Sequence, residues 1–342
     1  MATRFGYACL NMTLGPKKGG FRSMIKRTFQ EKGIQHASRL TLENVETLHG
    51  IVEWNNKHGI QVYRMTSDLA PWASEYEFEQ LPDWPAIRAG LELVGKTARE
   101  GGQRLSFHPG QFNCLTSPRE HVVTNCLRDL RIHGEIMDAI GLPNTPEAKI
   151  NIHLGGVFGE KGVAMDRWCS NFERVPENVK RRLTVENDDK ASCYSVVDLH
   201  KVWQRTGVPT VFDYHHHKFC DGGLSERDAL HLAASTWPAG IRPVTHYSES
   251  ASKREGRAVS PTAHSNFVDG PVDPHGLEID CVVEAKAKEL AVIQLVTGVD
   301  QSAFYDDQRG TTDEEIAEVT RKQKEKKAAE RAEKKAARRR PA

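Results

Sequence analysis

Six short β-rich runs in this chain are each followed by an imidazole or a carboxylate. SFHPG delivers His108, NIHLGG delivers His153, LTVEN delivers Glu186, and VFDYHHH delivers Asp213 with His216 just beyond. VTHYS adds His246 and VVEAK adds Glu284. Mixed imidazole and carboxylate donors without thiolates suit Zn²⁺ or Mn²⁺, and a shared carboxylate can bridge two such ions. One histidine at a strand end is usually a satisfied structural residue, but six polar ends in phase are not independent accidents. The other histidines say less. His49, His58, His121, His133, His200 and His231 fall in helical patterns and read as surface or packing residues, and His36 and His275 lie in loops. His215 and His217 flank His216 and, by alternation, point elsewhere.

The seven cysteines (Cys9, Cys114, Cys126, Cys169, Cys193, Cys220, Cys281) are odd in number, scattered and never spaced as C-x-x-C. Neither a disulfide framework nor a cysteine zinc site is expected, and a reducing cytosol fits. No apolar run is long enough for a membrane span; the most apolar stretch, 290–299, is broken by Gln294 and Thr297. Residues 1–12 hold one Arg and no sustained apolar region, so no secretory signal is expected there.

The elements that must position the polar groups are eight strands: Arg4–Cys9, Ile60–Met65, Arg104–Phe107, Lys149–Ile152, Leu183–Val185, Pro209–Phe212, Arg242–Thr245 and Ile279–Val283. Between them the helical period marks Leu40–His58, Trp84–Glu100, Pro118–Ile140, Val196–Arg205 and Ser225–Thr236, with Thr41 as a start signal. Strand and helix in alternation mean a parallel sheet, and eight units in this length favour an α/β fold closed as a (β/α)₈ TIM barrel. A doubly wound open sheet is the alternative, but no G-x-G-x-x-G follows the first strand. In such barrels the carboxyl ends of the strands meet at one mouth, which is where all six polar ends would gather.

Charge divides the chain. The 47 basic and 46 acidic residues nearly cancel, yet residues 319–342 hold 11 Lys/Arg against 3 Asp/Glu, and residues 1–318 hold 36 against 43. The tail KQKEKKAAERAEKKAARRR is low-complexity and nearly without large apolar groups, so disorder or a lone solvated helix is expected. It serves either solubility or non-specific anchoring on a polyanion. The expected domains are a barrel over residues 1–300 and a basic tail over 301–342.

Together the segments FGYACLNMTL, YRMTSDLAPWAS, SFHPGQFN, NIHLGGVFGEKG, LTVENDD, VFDYHHH, THYSES and VVEAKAKE resemble the ultraviolet damage endonucleases, in order from Arg4 to Gly298. The resemblance implies a barrel related to the three-metal abasic-site enzyme endonuclease IV. It also implies hydrolysis of the phosphodiester 5′ to cyclobutane pyrimidine dimers, 6-4 photoproducts and some abasic sites, on damaged double-stranded DNA. By the same likeness two to three divalent ions are needed, with Mn²⁺ expected and Zn²⁺ or Co²⁺ compatible. His108, His153 and Glu186 would hold one ion; Glu186, Asp213, His246 and Glu284 a second; His216 and His264 a third. Gln111 and Phe112 match a pair that wedges into the duplex, Tyr7 and Asn11 match residues lining the lesion pocket, and Lys286 would meet a phosphate. One departure stands out. Some members carry a lysine, carboxylated to help hold metal, where this chain has Val244, which leaves the third site weaker, completed by another carboxylate, or empty.

Glu186, Glu284 and Lys286 are therefore the expected catalytic groups, with hydroxide generated between bridged ions and a 3′-hydroxyl and 5′-phosphate as products. Lys253, Arg254 and Arg257 in SESASKREGRAVSPTAHSNF are favoured as DNA-backbone contacts over an ordinary solvated loop. Two other readings stand beside this one: a metal-dependent sugar isomerase or epimerase on the same barrel, and a lesion-binding protein that does not cut. A cytoplasmic monomer without membrane attachment is expected, nucleoid-associated in a bacterium.

Overall fold

A computed structural model describes residues 3–309. Eight parallel strands follow in chain order: β1 (Arg4–Ala8), β2 (Val62–Arg64), β3 (Arg104–Ser106), β4 (Ile150–His153), β5 (Leu183–Glu186), β6 (Thr210–Asp213), β7 (Val244–Tyr247) and β8 (Asp280–Val283). Their hydrogen-bonded order is β3-β2-β1-β8-β7-β6-β5-β4. Just past β3, Phe107 bridges in parallel to Ile150, with Phe107 N donating to Lys149 O and Asn151 N to Phe107 O, each at 2.9 Å. That contact joins the two ends of the ladder and closes the (β/α)₈ barrel expected from the strand–helix alternation. Gly6 on β1 sits where a Cβ would lie 1.8 Å from the Val62 carbonyl, so only glycine permits this spacing.

Contact density divides the chain after Gly298. The first unit carries all eight strands; the described part of the second contains the helix Ser302–Arg309. The basic tail from residue 310 onward, with the anchoring role suggested for it, lies outside the described residues. No helix among the described residues is long and apolar enough to cross a membrane.

The helices occupy the expected intervals, with one correction. The helix expected to start at Thr41 begins at Lys26, crosses a break at Gly33 (φ +65°), and runs to His58. Its buried face already includes Ala37, Ser38 and Leu40, so burial continues upstream of the capping signal. Thr41 does not cap; its hydroxyl donates to the Ala37 carbonyl at 2.8 Å inside the helix. By contrast Ser195 does begin the helix Val196–Thr206, through a reciprocal capping box with Asp198.

Side-chain alternation along the strands sorts the interior into levels. At the amino-terminal floor, Asp280 of β8 accepts two hydrogen bonds from Arg4, at 2.7 and 2.6 Å, and one from Arg104 at 2.9 Å. Above it Val62, Val211, Val244 and Val282 belong to one buried apolar cluster. One register step further up, the strands end in polar groups.

Candidate metal centre

Strand ends set the positions. His153, Glu186 and Asp213 are the last residues of β4, β5 and β6; His246 lies within β7, and Glu284 follows β8 directly. His108 stands two residues beyond β3, after the Phe107 bridge. Asp213 also shapes its own neighbourhood: its Oδ1 accepts the His216 backbone N–H at 2.7 Å, which turns the chain so that the His216 ring comes back over the barrel. The His216 Nδ1 then donates to the Asn187 carbonyl at 2.9 Å.

Glu186 is the hub. His108 Nε2 lies 3.0 Å and His246 Nδ1 3.1 Å from its Oε2, while His216 Nδ1 lies 3.4 Å from its Oε1. Two groups have ligand atoms within 4.8 Å of one another, His108–Glu186–His246 and His153–Glu186–His216. Glu186 is thus shared between the two groups, but His153 goes with His216 and His108 with His246, which differs from the pairing the resemblance implied. Glu284 is 3.2 Å from His246 Nδ1, and His264 Nδ1 lies 3.6 Å from the other Glu284 oxygen. Val244 points into the apolar cluster beneath, with no donor to offer.

The charge states follow from crowding in a buried space. Burial alone would raise the Glu186 carboxyl, yet His246, His153 and the His108 hydrogen bond outweigh it and hold it well below the usual carboxylate range. Burial, opposed by His216 and reinforced by Glu186 and Glu284, pushes Asp213 up to about 7. Burial works against the charged form of His153 and His216, but Glu186 and Asp188 raise the first to about 9, and Asp213 and Glu186 raise the second to about 9. His246 is lowered to about 4 by burial, with Lys149 adding to the effect against Glu186.

Among the described residues, buried Glu186 Oε1 and Asp213 Oδ2 have no hydrogen-bond partner, and His153 Nδ1 and His246 Nδ1 face carboxylates without an aligned hydrogen bond. A buried polar atom left this way costs about 1–3 kcal/mol. Unsatisfied oxygens on Glu186 and Asp213, with imidazoles crowded around the shared Glu186 carboxylate, fit divalent cations, which would satisfy them together and screen the crowded carboxylates.

Sequence reading missed four side chains that build this centre. Asp188 Oδ1 lies 3.0 Å from His153 Nδ1, and Asn151 donates to Glu186 Oε2. Arg64, the last residue of β2, pairs with Glu284. Lys149 is fully buried with its ammonium 3.3 Å from His246 Nε2, and burial lowers it to about 7, with Arg64 adding to the effect. Counting back by two from His153 would have placed Asn151 and Lys149 on the inner face, and the strand-end rule applied to β2 would have found Arg64. Asp188 gave no signal beyond its place in the acidic run after Glu186.

The residues proposed to meet DNA fare unevenly. Gln111 is exposed, and Phe112 is 84% exposed on the loop after β3, a large apolar ring given to solvent. Tyr7 and Asn11 are not at an open pocket. Asn11 donates to the Tyr7 hydroxyl at 2.9 Å, and that hydroxyl donates to Asn55 at 2.9 Å, so both belong to a buried polar chain between β1 and the helix Lys26–His58. Arg254 is tied to Asp269 at 3.0 and 2.6 Å and lies 3.5 Å from Glu249, and Arg257 pairs with Glu255 at 2.6 Å. Lys253 is exposed and makes no ion pair among the described residues. Lys286 is exposed, its backbone N–H donating to Ser265 O.

The sequence family model for UV-endonuclease UvdE matches residues 3–313. This chain belongs to the UV-endonuclease family. It is 39% identical over 305 residues to the UV-damage endonuclease of Schizosaccharomyces pombe, covering 85% of this chain but only half the length of that relative. Against the UV DNA damage endonuclease of Bacillus cereus strain B4264 it is 33% identical over 315 residues, covering 86% of this chain and 94% of the relative. The crystal structure of SacUVDE is similar with a TM-score of 0.75 at 31% identity, over 87% of this chain and 98% of that one.

Proposed function

We propose that this member of the UV-endonuclease family hydrolyses the DNA phosphodiester 5′ to ultraviolet photoproducts, at the centre formed on Glu186. The lesions are cyclobutane pyrimidine dimers, 6-4 photoproducts and some abasic sites, and the products a 3′-hydroxyl and a 5′-phosphate. The observation that carries this reading is the crowding of buried imidazoles and carboxylates on Glu186, with Glu186 Oε1 and Asp213 Oδ2 left without a hydrogen-bond partner among the described residues, at the mouth of a barrel that also carries an exposed aromatic ring.

Two or three divalent ions, Mn²⁺ by preference, would be held by His108, His153, Glu186, Asp213, His216, His246, His264 and Glu284. Bound there, such ions lower the pKa of water toward neutrality and neutralise phosphate charge. The chain's own residues do the rest. Glu186 holds the two imidazole pairs on one carboxylate, and Asp188 orients the His153 ring through Nδ1. Arg64 fixes one oxygen of Glu284 so that the other faces His264. Burial of Glu186 and Asp213 keeps bulk water from competing for the ligands.

Recognition rests on mechanics. An adducted pyrimidine pair stacks and pairs poorly, so its extrusion costs less than the few kcal/mol of a normal pair. Phe112, standing free beside Gln111, is placed to fill the gap while the amide hydrogen-bonds the orphaned bases. The test is a labelled duplex carrying one pyrimidine dimer, incubated with Mn²⁺, beside a free-sugar control. Incision 5′ to the dimer is expected. Conversion of the sugar with no incision, or binding without a cut, overturns the proposal in favour of an isomerase or a non-cutting lesion binder.

A further inference from the structure

At the end of β5 three consecutive residues each meet a different part of the candidate centre. Glu186 is the shared carboxylate, and Asp188 Oδ1 lies 3.0 Å from His153 Nδ1. Asn187 between them is fully buried, and its side-chain amide turns toward β6. Ladder pairing between β5 and β6 runs only through Val185 with Thr210 and Glu186 with Val211. Two residues further along β6 the Asn187 amide takes over. Its Oδ1 accepts the Asp213 backbone N–H at 2.8 Å, and its Nδ2 donates to the Asp213 carbonyl at 3.0 Å. A primary amide carries a donor and an acceptor on one planar head, so it satisfies both backbone groups of a single residue.

The main chain of Asn187 acts on a second residue. Its carbonyl accepts from His216 Nδ1 at 2.9 Å. A carbonyl can only accept, so Nδ1 carries the hydrogen and Nε2 is the ring nitrogen open to a metal. His216 is also tied to Asp213, whose Oδ1 accepts its backbone N–H at 2.7 Å. The Asn187 amide thus fixes Asp213, Asp213 fixes the turn that carries His216, and the Asn187 carbonyl fixes the ring. The other ligand group is supported differently. Asn187 makes no hydrogen bond to His108 or His246 among the described residues, and β7 holds His246 through four residue pairs with β8.

We infer that Asn187 is a positioning residue for the metal site of His153, Glu186 and His216, setting the place of Asp213 and the ring nitrogen that His216 presents. This deepens the endonuclease reading and rests on its metal centre.

Asn187→Ala and Asn187→Leu test it, the second keeping the volume of the side chain without its amide. The readouts are Mn²⁺ titrations followed by elemental analysis and electron paramagnetic resonance. Wild type is expected to fill both groups, with the ions joined through Glu186 giving an exchange-coupled spectrum. Both variants should keep one site at its wild-type affinity and lose on the order of tenfold to a hundredfold at the other, the effect of removing a group that orients a metal ligand. Their spectra should become those of isolated Mn²⁺. The loss should be shared with His216→Ala rather than added to it, so that the double variant binds like His216→Ala alone. Asp280→Asn at the floor is the control for lost stability and should keep both ions. Unchanged Mn²⁺ binding, rescue by leucine, equal weakening of both sites, additive losses, or failure of both variants to fold each overturns the role of Asn187 while wild type still loads. If wild type binds fewer than two ions, the paired centre itself fails and takes this role with it, so the wild-type titration tells the two failures apart.

Discussion

Both ends of this barrel bury charge, and they do so in opposite ways. At the floor, both carboxylate oxygens of Asp280 are taken by arginine hydrogen bonds from Arg4 and Arg104, so every group finds a protein partner. At the rim, Glu186 Oε1 and Asp213 Oδ2 have no hydrogen-bond partner among the described residues, and the His153 and His246 Nδ1 atoms face carboxylates without an aligned hydrogen bond. A floor of this kind can only hold the strands in register. A rim of that kind is held in place by the fold while its own hydrogen bonds go unmade, which is the condition for receiving an ion. Equal burial therefore does not mean equal purpose; what separates the two ends is whether the partners are already present.

Replacing one carboxylate at each end should break the molecule in two different ways. Glu186→Gln removes the shared bridge and is expected to lower incision by ~10³-fold or more, with affinity for lesion DNA largely kept. Gel assays of cutting and anisotropy measurements of binding check this, and ordinary incision by the variant refutes the bridging role. Asp280→Asn leaves Arg4 and Arg104 without their shared anion, and losing one partner of a buried charge network costs about 3–5 kcal/mol. Its metal content per folded molecule should stay at the wild-type value. Denaturant melts and elemental analysis of both variants test the contrast, which collapses if Glu186→Gln destabilises the metal-free protein as much as Asp280→Asn does.

A third substitution sharpens the rim further. Phe112→Ala removes an exposed ring that touches no ligand atom, so metals should be retained while incision at dimers falls by roughly tenfold or more, base stacking on an aromatic being worth ~1–3 kcal/mol. An unaltered rate rejects the wedge.

Acidity bears on the rim as well. Asp213 at about 7, and His153 and His216 at about 9, all have folded values raised above their ordinary ones. The stability they give the metal-free protein is present at low pH and is lost as pH rises through about 7 for Asp213 and about 9 for the histidines. Lys149, lowered to about 7, works in the opposite direction above that pH. Metal must displace the protons on Asp213, His153 and His216 but not the one on Lys149. The rise in Tm on adding Mn²⁺ should therefore grow from pH 6 to pH 9. Paired melts with Mn²⁺ and with chelator measure it, and a flat increment would show that these groups do not ligate.

How much of this could be read from the sequence differs by element. The strand ends were legible because alternation has a fixed period, so His108, His153, Glu186, Asp213, His246 and Glu284 announce themselves at the end of each apolar run. The start of the helix Lys26–His58 was hidden, because Thr41 looks like a cap and only burial shows that the helix has already begun. The supporting shell was legible in part. Asn151 and Lys149 obey the same alternation as His153, but their types carry no signal until His246 and Glu186 are seen across the barrel. Tyr7 and Asn11 show the limit of likeness by position, since the hydrogen bonds that bury them come from Asn55, far away in the chain.

The loop after β7, residues 248–267, carries the contrast between satisfied and waiting charge to the surface, where the effects are smallest. Arg254 resembles the floor, with Asp269 and Glu249 already in place around it; Lys253 resembles the rim, exposed and without an ion pair among the described residues. Neutralising a cation that touches a DNA phosphate should reduce the dependence of log affinity on log salt by about 0.9, and neutralising one already paired within the protein should not. Lys253→Ala is therefore expected to flatten the salt dependence of duplex binding by about that amount, and Arg254→Ala to leave it unchanged. If the two variants behave alike, the loop's carboxylates release Arg254 when DNA arrives, and the distinction that separates floor from rim does not extend beyond the barrel.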